Sequence, residues 1–180
     1  MRLIHVDHLL QTGLTIEPLL KRRLTEIFAE FGRETTELAY FMTGERELAQ
    51  DISQEAFVRL FGRFGNLRDE NAVRSYLRRT VINLTRSHFR RQRSERSYLA
   101  RQAPSESVVE PPSDVDTKED MFRLLQRIPH RQRASLILRF YFDLSESQAA
   151  ELLGTSEKAV NGLVSRGLDG LRKHEGAGEQ

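Results

Sequence analysis

The chain contains no cysteine and no tryptophan. Without cysteine there can be no disulfide and no thiolate metal ligand, which agrees with a reducing, cytoplasmic setting. Proline is scarce, five in 180 residues, and three of the five, Pro104, Pro111 and Pro112, crowd into one stretch. The rest of the chain is therefore largely free to be helical. No run of eighteen apolar residues occurs, so no membrane insertion is expected. The segment Met1–Leu10 carries Arg2, His5, Asp7 and His8 and lacks the apolar stretch of a secretory signal. The five histidines, His5, His8, His88, His130 and His174, are scattered. His5 and His8 lie three apart but have no third ligand in view, so no metal site is expected. Nothing completes a catalytic constellation, and neither enzymatic activity nor a cofactor is expected.

What is present is helical periodicity. There is no strand alternation and no internal repeat. Ile16, Leu19, Leu20, Ile27, Phe28 and Phe31 recur at helical spacing, and Gly32 is expected to break that helix. A second helix is expected over 34–43, ending at Gly44. A third, over 46–63, carries the stripe Leu48, Ile52, Ala56, Phe57, Leu60, Phe61 and Phe64. A fourth, over 70–95, turns Val73, Tyr76, Leu77, Val81, Leu84 and Phe89 inward. Between Gln102 and Asp120 the composition shifts to prolines, serines and six acidic residues against one lysine. Like charge and proline predict an extended acidic linker. Helix resumes over 121–127, 131–141, 146–153 and 156–172.

Charge is segregated behind a net value of only +2. Residues 72–101 hold nine arginines (Arg74, Arg78, Arg79, Arg86, Arg90, Arg91, Arg93, Arg96 and Arg101), no lysine and a single acid, Glu95. Guanidinium forks suit phosphate oxygens and base edges, and Tyr76 and Phe89 are interleaved among them. So dense a positive face repels itself unless a polyanion covers it. Asn83 and Ser87 share a helix face with Arg79, Arg86 and Arg90, giving a platform for single-stranded or melted DNA. Further along, Ser145 and Gln148 form a capping box, Ala150 is small where helices would cross, Gly154 suits a sharp turn, and Thr155 or Ser156 can cap a following helix. Val160, Leu163, Leu168 and Leu171 would be its inner face. This is helix-turn-helix spacing, whose second helix enters the major groove. Its outward positions are Glu157, Lys158, Asn161, Ser165 and Arg166.

Together these segments resemble an extracytoplasmic-function sigma factor, with only the second and fourth conserved sigma regions. Glu47–Leu60 is similar to the family's acidic A-x-D-x-x-Q-E-x-F helix. Val73–Leu84 is similar to its x-W-L-x-x-I-A-x-N helix, with Tyr76 in place of tryptophan and Ser87 where aspartate is common. Ile128-Pro129-His130-Arg131-Gln132-Arg133 is similar to its L-P-x-x-x-R entry to region 4. The recognition helix departs most: Lys158-Ala159-Val160-Asn161-Gly162-Leu163 stands where G-T-V-K-S-R is usual, which implies a weaker or differently specified −35 contact.

The resemblance implies an all-α fold of two small helical domains. Residues 1–17 would be an extension, 18–98 sigma region 2, 99–118 a flexible acidic linker, 119–173 sigma region 4, and 174–180 a disordered tail. Leu48, Asp51, Gln54, Glu55 and Phe57 would bind the β′ clamp of core RNA polymerase. Tyr76, Arg78, Arg79, Asn83, Arg86, Ser87 and Arg90 would read and melt the −10 element, with the loop 65–71 capturing a flipped base. Ser156, Lys158, Asn161, Ser165 and Arg166 would contact the −35 element. The linker would thread the polymerase near its active cleft and RNA exit path. Expected partners are core RNA polymerase, promoter DNA and an anti-sigma factor. The alternative is a helix-turn-helix regulator that binds duplex DNA without polymerase.

Overall fold

The computed structural model describes residues 18–63, 69–102 and 117–175, and every regular element among them is helical. They are α1 (Pro18–Thr43), α2 (Arg46–Phe61), α3 (Glu70–Gln102), α4 (Thr117–Arg127), α5 (His130–Leu136, continued by one wide π turn, Ile137–Tyr141), α6 (Glu146–Leu153) and α7 (Glu157–Glu175). The expected extension 1–17, most of the 65–71 loop and the linker's 103–116 lie outside the described residues, as does the tail beyond Glu175.

Gly32 does not break the first helix; α1 runs unbroken for 26 residues. A single glycine inside a helix costs about 1 kcal/mol relative to alanine. Burial on both sides of it, with Leu24 and Phe31 before and Leu38, Ala39 and Met42 after, outweighs that cost. The true stop is Gly44, at φ +76°, whose amide donates to Tyr40 O at 2.7 Å. That left-handed conformation comes without penalty only to glycine. Asp69 opens α3, its side chain accepting from the Asn71 amide at 3.2 Å.

α1, α2 and α3 pack mutually into a three-helix unit, and α4 to α7 form a second. Phe31, Leu38, Met42, Phe57, Leu60, Leu77 and Val81 fill the first core. Leu138, Ala149, Ala150 and Val160 fill the second. The two are one continuous apolar cluster, so the modules lie against each other instead of hanging apart on a strap. α3 and α4 also reach into the expected linker, to Gln102 and from Thr117.

Candidate nucleic-acid and polymerase interface

The helix-turn-helix forms as its residues dictate. The Ser145 hydroxyl accepts from the Gln148 amide at 3.2 Å, and Gln148 Oε1 accepts from the Ser145 amide at 2.8 Å. Gly154 ends α6 at φ +58°. Ser156 caps α7, accepting from the Ala159 amide at 3.2 Å. Val160 is fully buried, whereas Leu163, Leu168 and Leu171 are half-buried. Lys158, Asn161, Ser165 and Arg166 are exposed on α7. Asn161 is already engaged, its Nδ2 donating to Glu146 Oε2 at 2.7 Å. Arg166 folds its guanidinium back beside Gly162.

On α3 the expected −10 set divides. Asn83, Arg86, Ser87 and Arg90 are exposed, and their spacing places them on one face with Arg93 one turn beyond. Of the other three, Tyr76 and Arg78 are turned into the protein, and Arg79 is exposed but already bonded. Tyr76 is half-buried and donates its hydroxyl to Arg59 O at 3.3 Å. Arg78 donates to Glu34 Oε1 at 2.7 Å and lies over the Phe142 ring, with only 13% of its side chain exposed. Arg79 donates to Glu151 O at 2.8 Å. Arg74 shares Glu34 at 3.3 Å, so one carboxylate neutralises part of the basic helix from the protein side.

On α2, Asp51 and Glu55 are exposed, Leu48 and Gln54 half-buried. Glu55 pairs with Arg59 at 2.8 Å. Phe57 is not a surface contact. It is fully buried, its ring 4.9 Å from Phe28 and 6.1 Å from Phe61, because it lies on the stripe opposite the acidic face. Sequence reasoning missed Val58, which is 44% exposed. It falls three and four residues after Glu55 and Gln54, and so extends their face with an apolar contact. The signal was present: Val58 is a large apolar residue outside the inward stripe.

Two basic groups in the α4–α5 region are displaced from their ordinary chemistry. Burial, then repulsion from Arg133, Arg86 and Arg131, lowers the His130 pKa to about 4. Burial lowers that of Arg133 to about 10, leaving it charged at neutral pH. Among the described residues no group of acids and histidines could hold a metal, and no helix is long and apolar enough to cross a membrane.

Described residues that are helical in every regular element, with a capped helix-turn-helix and a neighbouring arginine-lined helix, define a nucleic-acid-binding protein of the transcription machinery. The family profile "Sigma-70 region 2" matches residues 27–95, and "Sigma-70, region 4" matches residues 118–169. The RNA polymerase sigma-E factor of Streptomyces avermitilis is 31% identical over 125 residues, covering 69% of each chain. The ECF RNA polymerase sigma factor SigW of Bacillus subtilis is 23% identical over 182 residues, covering 88% of this chain and 97% of SigW. In fold, the chain is similar to the sigma factor RpoE solved with the anti-sigma factor NepR from Bartonella quintana (TM-score 0.64, 19% identity, 85% of this chain and 94% of that one). It is also similar to CnrH solved with the cytosolic domain of CnrY (TM-score 0.62, 23% identity, 87% and 90%). The chain belongs to the sigma-70 family, in its extracytoplasmic-function group. It is a sigma factor, acting with RNA polymerase in promoter recognition and transcription initiation.

Proposed function

We propose that the chain is a non-catalytic, cytoplasmic initiation factor whose three exposed faces divide the work. The α2 face of Leu48, Asp51, Gln54, Glu55 and Val58 docks on the β′ clamp of core polymerase. The α3 face of Asn83, Arg86, Ser87 and Arg90 meets the separated strands of the −10 element. The α7 face of Lys158, Asn161, Ser165 and Arg166 enters the major groove at the −35 element, with Ser156 capping that helix toward the backbone phosphates. Tyr76 and Phe57 support these faces from within.

The observation that carries this reading is the alignment of exposure with chemistry on α3. Four polar or cationic side chains at i, i+3, i+4 and i+7 are open on one face, while the arginines at 74 and 78 are paired off. A phosphate backbone is the natural complement of that face. A regulator of duplex DNA working without polymerase is not favoured, because it leaves the region 2 module and its acidic α2 face without a role. An anti-sigma factor remains a proposed partner, supported by the two solved relatives that are held by one.

Transcription from promoter templates by bacterial core polymerase plus this protein, with the transcripts sequenced, tests the reading. Discrete start sites that depend on the protein are expected. Absence of protein-dependent RNA from every template tried overturns it.

A further inference from the structure

Within the helix-turn-helix, α6 reaches across to one side chain of the recognition helix. The Ser145–Gln148 box starts α6 at a defined residue, so Glu146 takes its first helical position, where the positive end of the helix favours a carboxylate. The left-handed turn at Gly154 and the fully buried Val160 then set how α7 lies on α6. Asn161 follows Val160 in the chain, and its Nδ2 donates to Glu146 Oε2 at 2.7 Å. Asn161 is exposed and Glu146 half-buried, so the anchor is the better held of the two.

This bond decides which way the Asn161 amide faces. A carboxylate only accepts, so the NH2 group must point toward Glu146, and Oδ1 lies away from it. One Nδ2 hydrogen is thereby committed. The other Nδ2 hydrogen and Oδ1 remain, side by side, as a donor–acceptor pair.

Of the four bases, adenine alone shows the matching pair on its major-groove edge, with N7 to accept and N6–H to donate. Guanine presents two acceptors, N7 and O6, and would set O6 against Oδ1. Cytosine and thymine each offer a single polar partner. An amide free to turn over must be ordered on binding, whereas a held one is ordered beforehand and presents its donor and acceptor in one sequence.

We propose that Asn161 reads an adenine in the −35 element and that Glu146 is its positioning residue. The inference rests on the assignment of α7 to that element above. Lys158 and Ser165, one turn to either side of Asn161, are exposed and flank the reading position. Glu146 itself touches no base in this arrangement. Its negative charge near the phosphates weakens binding to every sequence alike, while its hold on Asn161 sharpens the choice among them.

The test uses core polymerase with the full chain, on a promoter found by transcript sequencing. The base pairs of its −35 element are randomised, and the templates that yield transcript are sequenced against the input. The wild type is expected to favour adenine at one position by about 5- to 150-fold over the other bases, the discrimination of one bidentate pair. Asn161→Ala should bring that position to within about twofold of no preference and leave the others standing. Glu146→Ala should reduce the adenine preference by about 2- to 10-fold without weakening overall promoter binding. Glu146→Gln, whose Oε1 can still accept from Asn161, should restore most of it. That rescue separates positioning from the charge at the start of α6, which glutamine also lacks.

No adenine preference in the wild type, or one that survives Asn161→Ala, overturns the reading. So does a cytosine preference lost in Glu146→Ala, which would make the carboxylate itself the reader. Equal preferences in the wild type and Glu146→Ala overturn the role of Glu146. If no transcript depends on the protein, the functional assignment falls. Selection of random duplexes by the full chain, with Asn161→Ala beside it, then judges the adenine reading by the same criteria.

Discussion

Residues of one type do different work here, and the difference lies in their partners. Arg78 and Arg86 sit eight apart on the same helix, yet Arg78 is bound to Glu34 and nearly covered, whereas Arg86 is exposed. Arg78→Ala should therefore lower stability by about 1–2 kcal/mol, as expected for loss of a sheltered hydrogen bond to a charged group. Arg86→Ala and Arg90→Ala should leave the melting temperature unchanged. Each should instead weaken promoter binding and reduce its log–log salt slope by about 1. Thermal denaturation together with binding of the polymerase complex at several salt concentrations separates the two behaviours; a lowered melting temperature for Arg86→Ala would assign it to structure. Sequence reasoning grouped these arginines because helical spacing alone cannot see Glu34, which is 44 residues away. Local chemistry was fully legible: the Ser145–Gln148 box, the Gly154 turn and the Ser156 cap depend on neighbours within three or four residues. Phe57 shows the limit in the other direction. A motif groups it with Asp51 and Glu55, but the i, i+4 stripe it shares with Leu60 and Phe61 takes it inside. Phe57→Ala should cost about 3–5 kcal/mol through the cavity left beside Phe28 and Phe61, measured as a shift in denaturant midpoint.

At the scale of elements, α2 is the clearest case of one helix with two faces. Ala49, Ile52, Ser53, Ala56, Phe57 and Leu60 are buried, while Asp51 and Glu55 are turned outward. The Glu55–Arg59 pair is half-exposed on both sides, so its loss costs at most about 1 kcal/mol. The double substitution Asp51→Lys with Glu55→Lys should accordingly keep the circular dichroism and melting profile near wild type. It should abolish co-elution with core polymerase; retained co-elution would remove α2 from the docking surface. Most helices were legible from periodicity, because each buries a single stripe against a neighbour. The break expected at Gly32 failed because propensity is a small, local term, and the apolar stripe on either side of the glycine is a larger one. The π turn at Ile137–Tyr141 was not legible. It closes through Phe142 N to Ile137 O at 3.1 Å and a bond from Arg139 to Leu144 O, contacts that no hydrophobic period announces.

For the whole molecule, the decisive feature is the seam between the two modules, where the basic groups His130 and Arg133 are buried. Composition and linker chemistry led to the expectation of two separate modules, since nothing in the local pattern says that Arg133 will cap α1, 91 residues away. His130 makes the seam sensitive to acid, and the sign follows from its environment. The groups that perturb it electrostatically are Arg86 on α3 and Arg131 and Arg133 on α5, all cationic, and burial acts in the same direction. Its folded pKa of about 4 lies below the ordinary 6.5. Above pH 6.5 the ring is neutral in both folded and unfolded chains and contributes no pH dependence. Between about 6.5 and 4 the unfolded chain takes up a proton that the folded form refuses, so stability falls as pH falls, by roughly 3 kcal/mol over the full window. Carboxylates titrate toward the lower end of that range, so the measurement is comparative. Denaturant unfolding at pH 7 and pH 5 should show a loss of roughly 2 kcal/mol in the wild type beyond that in His130→Gln, whose amide can still donate to the Thr85 hydroxyl, which lies 2.9 Å from His130 Nε2. An equal loss in both proteins would mean that the ring is hydrated in solution, and the seam around it open.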